Sequence, residues 1–348
     1  MKNVVRFLSF LVLSTLFFSC STKVDLYADY KDIPVIYGLL DHTLDTNFVR
    51  INRAFSGNND NPINANEVAL IADSCNYPEK LDAKIYRYGK TSSSFSDYTL
   101  EDFVALDTMT IHNKQEGIFY SPDQLVYYVV TDQSNPNSAF FKTNTASRSY
   151  KYKLVVIKGN DTITSETGLV GGENFAISNN LVIFSSEPSD RTRRLSFRPA
   201  DNAAMYDVKM EFNYQEKHGT QLTDQKVSWS YGSKGVDQYN YEDGLYYITY
   251  LENTLFNLLS SKIGGDTIGV ERYFGDFVVS VAAGGNELYN YIQINSTGGN
   301  LSQTIPDYSN INGGYGVFSS RVNLRKVVNL SANTQADLYN QSWGFKQR

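Results

Sequence analysis

The sequence is poor in the residues that build most catalytic and metal sites. Its 348 residues include only three histidines and two cysteines. No two histidines stand four residues apart, which excludes the His-Glu-x-x-His zinc motif, and no cysteine cluster exists for structural zinc. A Gly-x-Ser-x-Gly motif, a phosphate-binding P-loop and a dinucleotide fingerprint are also missing. We therefore predict no cofactor, no metal site and no catalytic residues.

Long stretches of positive charge are also absent. The chain has 31 basic and 37 acidic residues, and its densest basic cluster is Arg191, Arg193 and Arg194. Binding to nucleic acid needs a concentrated basic surface that neutralises phosphates. The sequence therefore predicts no nucleic-acid partner, and it gives no reason to expect electrostatic adhesion to anionic lipid.

The apolar run at the N-terminus is too short to span a bilayer. It covers residues 7–18 and follows Lys2 and Arg6, which is the pattern of a signal peptide. The segment Leu16–Cys20 resembles a bacterial lipobox, with Phe17 in place of the usual leucine. The resemblance implies cleavage before Cys20, diacylglycerol on its sulfur and an acyl chain, such as palmitate, on its new amino group. The alternative is an ordinary secretory signal with a chance cysteine.

Cleavage would leave an acidic, lipid-anchored chain. Loss of residues 1–19 removes two basic residues and no acidic ones, so the net charge changes from −6 to −8. Several acyl chains give a stable anchor, and residues 20–32 would form a lipidated tether. With Cys20 acylated, Cys75 has no second cysteine with which to form an intramolecular disulfide.

Aromatic residues and alternating patterns indicate strands. The chain has 26 tyrosines and 20 phenylalanines but two tryptophans, a bias that suits β-structure. Alternation is clearest where Tyr206, Val208, Met210, Phe212 and Tyr214 would share one face. We predict a mainly β protein: two β-sandwich domains, immunoglobulin or fibronectin III-like, with one or two short helices.

The glycine pair at positions 171 and 172 predicts the boundary between the sandwiches, which would cover residues 33–172 and 178–345. A capping box predicts a helix over residues 64–74. The spacing of leucines predicts a helical insertion near residues 251–263. Residues 288–294 are predicted to form a strand.

Two segments resemble known protein families. Residues 194–210 resemble strands B and C of a fibronectin type III module, with Pro199 in the loop before Tyr206. The run Asn310-Ile-x-Gly-Gly-x-Gly-Val-Phe318 resembles the C-terminal signature of an uncharacterised family of Bacteroidota outer-membrane lipoproteins. That resemblance implies an envelope role near TonB-dependent transport systems. Physically, its glycines permit tight turns that would seat Phe318 in a core.

Three short triplets match the Asp-Ser/Thr-apolar pattern of Bacteroidota O-glycosylation. They place candidate glycosylated hydroxyls at Thr108, Thr162 and Thr267. Thr162 follows a predicted hairpin turn and is expected to be the most accessible of the three. For the other two, the alternative is a strand threonine beside a turn aspartate.

These features favour a non-enzymatic, lipid-anchored protein of the outer membrane or cell surface. Its sandwich surfaces would bind a partner or ligand, and an outer-membrane transporter is one candidate partner. The alternatives are a surface hydrolase acting on polysaccharide or peptide, whose site would be assembled only in the folded chain, and a structural or fimbria-like subunit. One acidic residue, Asp25, follows Cys20 closely, which leaves both the periplasmic and the outer face open.

Overall fold

Strands dominate the computed structural model, which confirms the mainly β class. The structure describes residues 32–54, 75–91, 97–112, 124–135, 138–188, 190–263, 269–296 and 308–347. Cys20, Thr267 and the helix predicted over residues 64–74 lie outside these ranges. No helix in the described ranges has the length and apolar character needed to cross a membrane.

The strands and helices follow one another in an order that places three helices in the second half of the described chain. The strands are β1 (Pro34–Leu40), β2 (Thr46–Arg53), β3 (Asp82–Thr91), β4 (Thr99–Ala105), β5 (Asp107–Ile111), β6 (Gln124–Val130), β7 (Arg148–Lys158), β8 (Asp161–Thr167), β9 (Leu181–Val182), β10 (Thr192–Phe197), β11 (Ala203–His218), β12 (Gln221–Gly235), β13 (Asn240–Glu242), β14 (Leu245–Leu251), β15 (Val270–Gly285) and β16 (Tyr315–Leu330). The helices are α1 (Thr254–Ile263), α2 (Asn286–Ser296) and α3 (Ala332–Asn340).

The first sandwich packs two sheets face to face. One sheet runs in the order β16-β1-β2-β6-β5, and the other in the order β4-β3-β7-β8. Alternate side chains point inward from both sheets, as a half-buried strand requires. Ile36, Ile85, Tyr152 and Phe318 are fully buried in the shared core.

The second sandwich has a larger and more aromatic core. The strands β12, β11, β15 and β16 form one sheet, and β10, β14 and β13 form the other. Between them lie Phe197, Tyr206, Phe212 and Phe277, all nearly or fully buried. Helices α1 and α3 close this core with fully buried side chains, among them Leu338.

One strand, β16, belongs to both sandwiches and makes their larger sheets continuous. Its first half pairs in parallel with β1, with Gly316 opposite Ile36. Its second half pairs antiparallel with β15, with Val328 opposite Phe277. The division at residues 172–178 therefore does not separate the two cores completely, because Ile311 and Phe318 belong to the first core.

The prediction of a strand over residues 288–294 is wrong, because this segment forms helix α2. Strand β15 ends at the pair Gly284-Gly285, and the helix begins at the next residue. Leu288, Tyr291 and Ile292 then lie three and four residues apart on one helical face. The apolar residues of this segment fit both the two-residue period of a strand and the 3.6-residue period of a helix. In the structure they form a helix that packs beside β16.

Candidate binding site

Helix α2 is fixed over the outer face of the first sandwich by hydrogen bonds at its N-terminus. The Ser319 hydroxyl accepts a hydrogen bond from the Leu288 N–H at 3.2 Å and donates one to the Glu287 carboxylate at 3.0 Å. Thr167 donates to the same carboxylate at 3.1 Å. A carboxylate in the first turn of a helix also suits the helix dipole. The helix thus has a defined position beside β16 and β1.

Between α2 and the β1–β2 hairpin lies a cavity of about 450 Å³, which we call the aromatic groove. The rings of Tyr37 and Tyr291 meet edge to face, with centroids 6.0 Å apart, and the Tyr291 hydroxyl donates to the Tyr37 hydroxyl at 3.3 Å. The groove is lined by Tyr37, Gly38, Leu39, Asp41, Leu44, Thr46, Asn47, Phe48, Leu288, Tyr291, Ile292, Val317 and Arg321.

The rim of the groove is a turn braced by side-chain hydrogen bonds. The Asn47 side chain accepts from the Asp41 N–H at 2.7 Å and donates to the Asp41 carbonyl at 3.1 Å. The Asp41 carboxylate accepts from the Thr43 N–H and hydroxyl. Both Asn47 and Asp41 are buried, so the turn that carries Leu44 is held by satisfied polar groups.

Charge at the groove comes from Arg321 and Asp41, not from His42. Burial lowers the pKa of His42 below its ordinary value, and the nearby Asp41 carboxylate offsets this only in part. The imidazole is therefore neutral at pH 7. Arg321 is exposed and forms no ion pair within the part of the chain that the structure describes.

Large apolar side chains are exposed at and around the groove. Phe48 is 44% exposed, Leu44 49% and Tyr37 38%. The ring of Phe48 lies 6.5 Å from that of Tyr128 on the neighbouring strand, so the aromatic surface extends across the sheet. A contiguous exposed apolar surface of this kind is typical of an interaction site.

The two candidate glycosylation residues that the structure describes, Thr108 and Thr162, lie at separate places in the first sandwich. Thr162 is exposed near the start of β8 and lines a second cavity with Gly313 and Gly314. Thr108 is half-buried on β5, and its N–H donates to the Asp107 carboxylate at 2.8 Å. The structure brings neither threonine to the aromatic groove.

Two pairs of carboxylates are adjacent in the sequence, Glu101-Asp102 and Glu242-Asp243, and the glutamate of each pair is bound by arginine. Glu101 binds Arg87 and Arg148, and Glu242 binds Arg194. Within the described ranges, no group of three or more histidine, cysteine, aspartate or glutamate residues is placed to hold a metal ion.

Sequence reasoning missed the aromatic groove because its walls come from opposite ends of the chain. Tyr37 and Tyr291 are 254 residues apart. One sequence signal is the tyrosine hydroxyl at position 37 within the otherwise apolar segment 35–40. The helical period of residues 288–292 could have identified the other wall.

Comparison with known proteins finds no matching family model and no matching curated protein. Among solved structures, the chain is similar to a cytokine receptor complex at 8% sequence identity, covering 86% of this chain and 99% of that chain. The TM-score of 0.20 is too low for this similarity to bear on fold or function.

Proposed function

We propose that this chain is a lipid-anchored binding protein of the bacterial outer membrane, which holds a partner protein in the aromatic groove. The exposed, well-supported groove between α2 and β1 is the observation that carries this proposal. The partner would insert an apolar side chain between Tyr37 and Phe48 and place an acidic group near Arg321. We propose a TonB-dependent transporter as that partner.

The residue types in the groove are those that dominate protein interfaces. Tyrosine and arginine are enriched among interface residues with large energetic effects. Tyrosine gives broad contact at a low entropic cost, because only two side-chain torsions must be fixed. The braced turn beside Asn47 and the hydrogen-bonded start of α2 keep these side chains in place before a partner binds. Such preorganisation raises affinity.

The end of the proposed tether is fixed to the first sandwich. Lys158 donates to the Asp32 carbonyl at 2.9 Å and pairs with its carboxylate at 3.2 Å. Residues 20–32 could extend about 40 Å from this point. Tyr37 lies five residues along the chain from Asp32, at most about 17 Å at the rise of a strand. A lipid on Cys20 would therefore keep the groove within reach of a membrane protein.

Crosslinking in intact cells tests the proposed partner. A photoreactive phenylalanine analogue at position 48 should give a covalent product with a β-barrel transporter. The same analogue at Tyr241, which is 60% exposed on the second sandwich, is the matched control and should not. Products of equal yield from both positions, or none from position 48, would contradict the proposed site.

Truncating the groove should weaken the complex. We expect Tyr37→Ala to lower affinity for the captured partner about 30-fold, because a central interface tyrosine contributes about 2 kcal/mol. Arg321→Ala should lower affinity and reduce its salt dependence. Affinity would be measured by calorimetry with the full chain in detergent. An unchanged affinity for both variants would exclude the groove as the interface.

The lipid anchor is tested separately. Cys20→Ser should move the protein from the membrane fraction to the soluble fraction and abolish labelling by radioactive palmitate, because the acylated sulfur is lost. Ser19→Ala keeps a small residue before the cysteine and should leave membrane association and palmitate labelling unchanged. Membrane association and labelling that persist in Cys20→Ser would refute lipidation at this residue.

A further inference from the structure

The outer face of the sheet β4-β3-β7-β8 combines lysines with aromatic rings. Alternate residues of β3 and β7, such as Ile85 and Tyr152, are buried in the core, so the residues between them point outward. We call this surface the lysine–tyrosine face. It is formed chiefly by Tyr86, Tyr88, Lys90, Phe103, Lys151 and Lys153.

The strand register places a lysine beside each tyrosine. Tyr88 lies opposite Lys151, and Tyr86 lies opposite Lys153. Directly opposed side chains have Cβ atoms about 5 Å apart. On the other side, the centre of the Tyr86 ring lies 5.6 Å from that of Phe103, with the rings tilted by 31°, and Phe103 is 53% exposed. The face is therefore a platform on which aromatic rings and lysine side chains lie side by side.

Two of the lysines keep an uncompensated positive charge. Lys153 pairs with Glu166 at 3.3 Å. Within the described ranges, however, Lys90 and Lys151 have no carboxylate at ion-pair distance. Their ammonium groups lie 4.9 Å and 4.7 Å from the centre of the Tyr98 ring. Contact with the ring orients both groups without neutralising them, so a positive site persists on a chain of net charge −6.

We propose that the lysine–tyrosine face binds an acidic polysaccharide, with sugar rings on the aromatic side chains and carboxylates on Lys90 and Lys151. A chain of uronic acids offers the flat rings and regularly spaced negative charges that this platform matches. An anionic membrane fits less well, because Tyr86 and Tyr88 are half-buried between the lysines and cannot insert into lipid. The site is separate from the aromatic groove.

Affinity electrophoresis of the full chain in detergent tests the proposal. Polygalacturonate in the gel should retard the protein, and a neutral galactan should not. Lys90→Gln with Lys151→Gln should weaken binding to polygalacturonate at least tenfold. Lys209→Gln with Lys226→Gln is the matched control, because it removes two exposed lysine charges beside Glu211 on the second sandwich. It should leave binding within twofold.

Further arms distinguish sugar recognition from general attraction to negative charge. Phe103→Ala should weaken binding to polygalacturonate several-fold, although it removes no charge. Equal binding to polyglutamate, or to vesicles containing phosphatidylglycerol, would overturn the assignment to an acidic polysaccharide. Equal losses in the control double variant would overturn the assignment to this face.

Discussion

Replacing Gly316 with alanine is expected to lower the free energy of unfolding by about 4 kcal/mol or more. Gly316 has a φ of +115°, a conformation that side chains other than glycine rarely adopt. A Cβ atom there would lie 1.9 Å from the Ile36 carbonyl oxygen. The clash is with backbone, so it can be relieved only by separating β16 from β1. Losses above 4 kcal/mol are uncommon for single substitutions and indicate a specific mechanism such as this one.

Gly313→Ala is the matched control within the same glycine-rich segment. Gly313 also has a positive φ, +85°, but a Cβ atom there would meet nothing closer than 3.7 Å. Its substitution should cost only the conformational strain, about 1–2 kcal/mol. Equal effects of the two substitutions in chemical denaturation would contradict a role for close strand contact at Gly316.

The two tryptophans allow a test of whether Gly316→Ala also destabilises the second core. Trp229 and Trp343 both pack against the second core, so their fluorescence reports on that core alone. Near-ultraviolet circular dichroism also senses the tyrosines of the first core. If the shared strand β16 couples the cores, Gly316→Ala should lower the unfolding midpoint by both probes. An unchanged fluorescence midpoint would show that the cores unfold independently.

Local patterns predict individual strands and the hairpin between β7 and β8, but they do not predict pairing between strands that are distant in the sequence. The alternation from Tyr206 to Tyr214 is local, and the structure places these side chains in the second core. The pairing of β16 with β1 joins residues that are 280 positions apart. Strand alternation indicates which side chains share a face, but it does not indicate which other strand pairs with that strand. A parallel pairing between distant segments therefore has no local signal.

Both candidate sites depend on contacts between distant segments, which local patterns do not predict. The alternating lysines and tyrosines of residues 150–153 are visible in the sequence, but the opposing Tyr86 and Tyr88 become neighbours only through the β3–β7 register. The aromatic groove also depended on recognising α2, whose apolar residues fit the period of a strand as well. The prediction that glycines seat Phe318 in a core used only local physics, and Phe318 is fully buried.

Arg87→Ala is expected to destabilise the protein by about 3–5 kcal/mol, because it leaves a partly buried carboxylate without its buried partner. Arg87 is 9% exposed, contacts Glu101 at 3.1 Å and donates to the Phe140 carbonyl at 2.9 Å. Arg148 binds the same carboxylate, but its side chain is 44% exposed. Arg148→Ala should therefore destabilise the protein much less than Arg87→Ala does. Urea denaturation of both variants gives the comparison.

The pH dependence of stability provides a second measure of this ion pair. Burial raises the pKa of Glu101, but hydrogen bonds and charges from Arg148 and Arg87 outweigh burial and lower it below its ordinary value. The unfolded chain then binds more protons, so this stabilisation is present above the unfolded pKa of about 4.3 and is lost as the pH falls through the lower folded value. As the pH falls over that range, the free energy of unfolding should decrease less steeply for Arg87→Ala than for the wild-type protein. Parallel pH profiles would mean that Arg87 supports the core through its contact with Phe140 rather than through the charge of Glu101.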